Sequence, residues 1–221
     1  MSMDRRNKRG EGAMRATRRG VLGLLGGALV VPATAKRALG DDMRLPSYEI
    51  TDSKITVSKA MPVRRPDTPV PSDAGLLFYI QHSQNPNTIV YTTRQGAGGG
   101  LDRSDPVDVF WRRFSRQNER DELTFFERFF VFGARTSRAK GAAERYAIRL
   151  AAYAGASGVL EIGPDGKARI VGKLGDRDVR VVYAYAELGD RAFIPKIEFI
   201  DVIGEDLATG EFVTRRVKVG F

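Results

Sequence analysis

Few residues in this chain have side chains suited to catalysis, and their spacing narrows the chemistry further. There is one histidine, His82, and no cysteine. Without thiols, disulfides, thiolate nucleophiles, zinc–thiolate centres and lipid-modified cysteine anchors are excluded. A single imidazole leaves little for histidine metal sites or triads. A general base at His82 needs an orienting acid and a nearby nucleophile. The sequence pairs it with neither, so His82 reads as a strand-end or loop residue. Ser157 lies in Gly155-Ala156-Ser157-Gly158, which lacks the G-x-S-x-G elbow, and reads as a turn serine. Glu161, Glu187, Glu198 and Asp201 fall on expected strands, where two facing carboxylates would make a hydrolase acid pair. Alternating strand faces send many such groups to solvent. The Gly-x-Gly in RQGAGGG (residues 94–100) does not lead from a strand into a helix, so it is not a dinucleotide loop. No metal spacing stands out, no cofactor is expected, and no residue is assigned a catalytic role.

Arg112, Arg113, Arg116, Arg120, Arg128, Arg135, Arg138 and Lys140 form a basic run interleaved with Trp111, Phe114 and a cluster of Phe. That mixture suits a nucleic-acid surface. Glu119, Asp121, Glu122 and Glu127 lie in the same run, however, and local pairing consumes much of the charge. A solvated, salt-bridged face is the expectation, followed by an anionic envelope partner or lipid headgroup; nucleic acid is not expected. If the fold encloses an apolar or anionic small molecule, Trp111, Tyr183 and Tyr185 are its candidate lining.

These residues need elements to hold them. In residues 107–114, Val107, Val109 and Trp111 alternate with Asp108, Phe110, Arg112 and Phe114, the period of a strand. From Leu123 the period changes. Leu123, Phe125, Phe126, Phe129, Phe130 and Phe132 share half of a helical circumference, which predicts an amphipathic helix over residues 121–133. Asn118 or Asp121 would cap it, Gly133 would take a left-handed position after it, and its Phe face would close the core. Strand signals precede it at residues 76–82 and 88–93. They follow it at 144–153, 158–162, 167–172, 178–186, 195–203 and 211–219, with turns such as Gly163-Pro164-Asp165-Gly166 between them. Eight or nine short strands with one helix predict a mainly β fold, an antiparallel β-sandwich or barrel.

The length of 221 residues suits one domain with a substantial core. The net charge of +9 is unevenly spread, because residues 1–35 carry seven basic residues against two acids. Those residues read as a removable export signal: Arg15, Arg18 and Arg19, an eleven-residue apolar run too short for a stable span, then Ala33-Thr34-Ala35 as the cleavage site. Thr17-Arg18-Arg19-Gly20-Val21-Leu22 is similar to the twin-arginine motif, with Gly20-Val21 in place of the usual x-Phe; the general secretory route is the alternative. Met14 offers a second start. Residues 36–74, with Pro46, Pro62, Pro66, Pro69 and Pro71, read as a disordered, proline-rich linker in which residues 48–57 offer at most an edge strand. The folded domain is expected over 75–221.

Four blocks carry a family resemblance: LLFYIQHSQNPNTIVY (residues 76–91), PVDVFW (106–111), ELTFFERFFVFG (122–133) and PKIEFIDVIGEDLATGEFV (195–213). In this order and spacing the chain resembles the domain-of-unknown-function 4833 family over nearly all of residues 75–221. The resemblance implies a single β-rich domain and brings no activity with it. The expected protein is periplasmic or secreted, with contacts to the export machinery through its signal and no stable membrane span. Its first functional reading is a non-catalytic β domain binding a small molecule or lipid. The alternative is a structural or protein-interaction domain of the envelope, with a carboxylate-dependent hydrolase a distant third.

Overall fold

An alternation of two runs through most of the chain, and strands follow from it. In Tyr146–Leu150, Tyr146 and Ile148 are buried while Ala147 and Arg149 are exposed, as a pleated segment with one wet face requires. The computed structural model describes residues 49–138, 144–151, 157–189 and 197–220. All lie in one of the two units into which the chain divides, Pro46–Phe221; the other, Met1–Leu45, falls outside the described residues. So do the expected export features at Arg18, Arg19, Ala33 and Ala35.

Among the described residues, twelve strands form one sheet: β1 (Glu49–Ser58), β2 (Leu76–His82), β3 (Asn85–Thr93), β4 (Val107–Arg113), β5 (Glu119–Glu122), β6 (Ala134–Arg138), β7 (Tyr146–Leu150), β8 (Ser157–Ile162), β9 (Ala168–Leu174), β10 (Arg177–Leu188), β11 (Ile197–Asp206) and β12 (Phe212–Gly220). The sheet branches at β10, which is long enough to serve two neighbours on one edge. Its first half pairs with β9, from Arg177 opposite Leu174 to Arg180 opposite Val171. Its second half pairs in parallel with β2, from Tyr183 opposite Tyr79 to Ala186 opposite His82. A bulge between Val181 and Tyr183 marks the handover. Along its other edge β10 pairs with β11, and β12 and β1 continue the sheet from there.

Two arms therefore leave β10, β2-β3-β4-β5 and β9-β8-β7-β6, and they curl so that their apolar faces meet. Phe78, Tyr91, Val109 and Trp111 from the first pack in one cluster with Tyr146, Ile148, Leu160 and Ile170 from the second. Phe78 and Tyr91 stack at 4.0 Å. The fold is thus mainly β, as expected, but it is a curled, open sheet of twelve strands rather than a sandwich or closed barrel of eight or nine.

Two further expectations are corrected. Residues 36–74 are not a linker throughout: β1 lies there and pairs with β12 from Glu49 opposite Gly220 to Ser58 opposite Phe212. The expected amphipathic α-helix over 121–133 is also not formed as such, and only a short helical segment lies within that range. Residues 119–122 are taken by β5, which pairs with β4 (Phe110 opposite Glu122), so the first turn of a helix has no residues left to start from. What remains is one wide turn built on a short π-helix, Glu127–Val131. Arg128 N–H donates to Thr124 O at 2.9 Å, and Phe132 N–H donates to Glu127 O at 2.7 Å, a five-residue reach typical of π geometry. Aromatic residues are poor helix formers, and a run of them gives little resistance to this. Gly133 is required for another reason than a left-handed backbone. A Cβ there would lie 1.7 Å from the Arg128 carbonyl oxygen, so only glycine lets the turn close.

Candidate functional site

Tyr183 and Tyr185 stand two apart on β10, and the pleat brings them to one face with Tyr79, Ile203 and Phe199. Tyr183 stacks on Tyr79 with ring centroids 5.1 Å apart. Its hydroxyl donates to the Pro62 carbonyl of the segment that follows β1. The Tyr185 hydroxyl donates to Glu187 Oε2 at 2.7 Å. Burial, with Glu187 adding to it, pushes the Tyr185 hydroxyl up to about 12. At the centre of this face is Asp201, whose side chain is fully buried. Arg216 grips it with two bonds, Nε to Oδ1 at 2.7 Å and Nη2 to Oδ2 at 2.8 Å, and Arg64 reaches Oδ2 at 2.9 Å. Arg65 donates to the carbonyls of His82 and Ser83, both at 2.8 Å. The segment after β1 is thereby fastened across the face, and the tyrosines lie beneath it.

Trp111 is elsewhere, in the core between the two arms. It meets Phe132 edge-on at 5.3 Å and His82 edge-on at 6.4 Å, and the Arg113 guanidinium lies 4.4 Å from its ring centre. The three residues expected to line one ligand site are thus divided, with two under the segment after β1 and one in the inter-arm core. A surface groove of 830 Å³ between the β8–β9 and β11–β12 turns is lined by others, including Lys167, Arg169, Arg180 and Glu205.

Of the groups weighed for catalysis, the carboxylates Glu161, Glu187 and Asp201 are engaged. Burial holds His82 below its ordinary value, with Arg65 adding to the effect, and its Nδ1 has no partner. Among the described residues nothing acidic orients it. Glu161 pairs with Arg145 and Arg169, both at 3.0 Å, Glu187 accepts from Tyr185, and Asp201 carries its two guanidiniums. Ser157 opens β8 opposite Arg149.

The turn between β5 and β6 is different. Leu123 and Phe132, at its two ends, pack into the inter-arm core. Thr124 N–H and Oγ–H donate to Glu127 Oε2 at 2.8 and 2.9 Å, and Glu127 N–H donates back to Thr124 Oγ1 at 3.3 Å, the reciprocal arrangement of a capping box. The other oxygen, Oε1, accepts from Trp111 Nε1 at 3.1 Å. Tyr91 O–H donates to the Phe132 carbonyl at 2.6 Å. Held at this many points, the turn presents its middle outward. Phe125 is 72% exposed, Phe126 54% and Phe129 48%, and the Phe125 and Phe129 rings meet at 4.4 Å. The expected core face of a helix is therefore, in these three residues, an outward aromatic knob. Sequence reasoning misassigned them because a helical wheel cannot show that β5 removes the helix.

The basic run divides in a similar way. Arg112 pairs with Asp73, Arg113 with Asp121, Arg120 with Asp108 and Glu122, and Arg128 with Glu122. Arg112 and Arg120 also cover the ring of Phe110. That portion is the salt-bridged face expected of it. Among the described residues, Arg116, Arg135 and Arg138 of this run, and Arg149 on β7, have no acidic partner, and Lys140 lies outside the described residues.

An all-β domain built on a branched, curled sheet, with a braced aromatic turn on its surface, is the class that fold and site define. The chain belongs to the DUF4833 family, described as a domain of unknown function, whose profile matches residues 78–216. No curated protein and no solved structure matches it.

Proposed function

We propose that this chain is an exported, non-catalytic interaction module of the cell envelope that docks through the aromatic turn between β5 and β6. One observation carries the reading: three phenylalanines within five residues are held outward by a turn braced at both ends. Single exposed apolar residues are ordinary, but a contiguous aromatic patch is a docking feature. The bracing matters because a turn fixed through Glu127, Trp111 and Tyr91 presents the rings without an ordering cost on binding. The small-molecule reading has less support, since packed protein groups occupy the surroundings of Trp111, Tyr183 and Tyr185.

Fractionation of cells that express the chain tests the proposal. Wild type is expected in the envelope pellet, and Phe125→Ser/Phe129→Ser in the soluble periplasmic fraction at unchanged melting temperature. Identical distribution of the two proteins overturns the docking role.

A further inference from the structure

We infer that the partner of this turn is an anionic lipid surface, gripped jointly by Phe125, Phe126 and Phe129 and by Arg135 of β6 and Arg149 of β7. The inference rests on the docking reading above and specifies its partner. Its second observation is the charge beside the turn. Gly133 O accepts from Ala151 N–H at 2.8 Å, which ties the base of the turn to the end of β7. Arg135 lies two residues beyond Gly133 and Arg149 two before Ala151, and they stand directly opposite one another across the β6–β7 ladder. Both are exposed. Like charges facing across a ladder destabilise it, and no acid among the described residues relieves this pair. Elsewhere on the same basic run every cross-strand arginine of β4 and β5 has its carboxylate. This uncompensated pair flanks the base of the turn from which the rings project.

Aromatic rings beside guanidiniums match the boundary of an anionic bilayer. Rings enter the headgroup region, and arginines bury their stems while their heads stay with phosphates. A convex knob needs no complementary pocket in such a partner. A second copy of the chain is a poor occupant, because a two-fold contact through this patch would bring uncompensated arginines against one another. Among the described residues β6 is also the last strand of its arm, with no strand paired on its outer side.

The test is flotation of the chain, purified from its own cells, with vesicles of phosphatidylethanolamine and phosphatidylglycerol, against vesicles of phosphatidylcholine alone. Selective binding to the anionic vesicles is expected. Phe125→Ala/Phe129→Ala should weaken it on the order of tenfold or more, from the apolar area withheld. Arg135→Gln and Arg149→Gln should each weaken it about fivefold and flatten its salt dependence. Melting temperatures should stay at the wild-type value. Equal binding to phosphatidylcholine overturns the inference. So does absence of vesicle binding, and if light scattering then shows a Phe-dependent dimer, or an envelope protein forms a Phe-dependent complex, the docking reading survives it. Phe variants that bind vesicles normally but melt early overturn both.

Discussion

At Glu127 one carboxylate does two jobs, capping the turn through Thr124 and anchoring it to the indole of Trp111. Side chains only a few residues apart on this stretch therefore have opposite consequences. Leu123→Ala opens a cavity in the inter-arm core and should cost about 2–5 kcal/mol. Phe129→Ala removes a ring already facing water and should cost about 0.5 kcal/mol or less, as surface changes do. Chemical denaturation of the two variants checks the contrast, and a large loss at Phe129 would return the ring to the core. The sequence displayed which side chains were apolar but not which of them a five-residue turn would expel. His82 supplies a second residue-scale expectation. Its folded value is lowered by burial, so between that value and about 6.5 the unfolded chain binds the extra proton. Its contribution is fully present above about pH 6.5 and is lost as pH falls through that window. Because it is the only histidine, the stability of His82→Gln should change less with pH there. Equal pH dependence in both proteins would show that the imidazole is as solvated folded as unfolded.

β1 and the segment after it show why the order of elements was less legible than their type. The period-two pattern identified most of the strands from residue 76 onward, and the hairpin at Gly163–Gly166 identified itself through turn chemistry, with Gly163 N–H donating to Lys167 O at 2.7 Å. β1 had only a weak pattern of its own, and its partner β12 lies at the far end of the described chain, where no local rule can point. The prolines that marked residues 36–74 as a linker are compatible with a structured crossing after β1. Pro62 contributes a carbonyl to Tyr183, and Arg64 contributes a charge to Asp201. A chain beginning at Gly75 loses β1, both of these contacts and the cover over Tyr79 and Tyr183. It should fail to melt cooperatively near the wild-type temperature. Asp201→Asn separates the ion cluster from the strand, because it leaves β1 intact while two guanidiniums lose their counter-charge. With the carboxylate fully buried and both arginines partly in water, the expected cost is about 2 kcal/mol or more. A truncated chain as stable as the full one would mean that β12 needs no neighbour besides β11.

For the whole molecule, the sheet's connectivity bears on how the chain would leave the cytoplasm. Strands β1 and β12 are joined along their length, and β2 pairs in parallel with β10, about a hundred residues later. Such non-local pairings form slowly and only after the C-terminal strands have been made. The mainly β class was readable from composition and turn spacing, whereas this topology was not, because parallel pairing of β2 with β10 leaves no mark in either strand. A sheet closed by its last strand suits an export route that carries folded chains. Thr17-Arg18-Arg19-Gly20-Val21-Leu22 is similar to the signal for that route. If the chain follows it, Arg18→Lys with Arg19→Lys should abolish appearance of the protein in the periplasm, although the charge of the signal is unchanged. Cleavage after Ala35 should leave a mature chain beginning near Lys36, which N-terminal sequencing reads directly. Undiminished export of the double-lysine variant would assign the chain to the general secretory route, where only positive charge ahead of the apolar run matters. A cytoplasmic protein with an intact start at Met1 or Met14 would end the export reading. It would also remove the envelope setting in which the aromatic turn is proposed to dock.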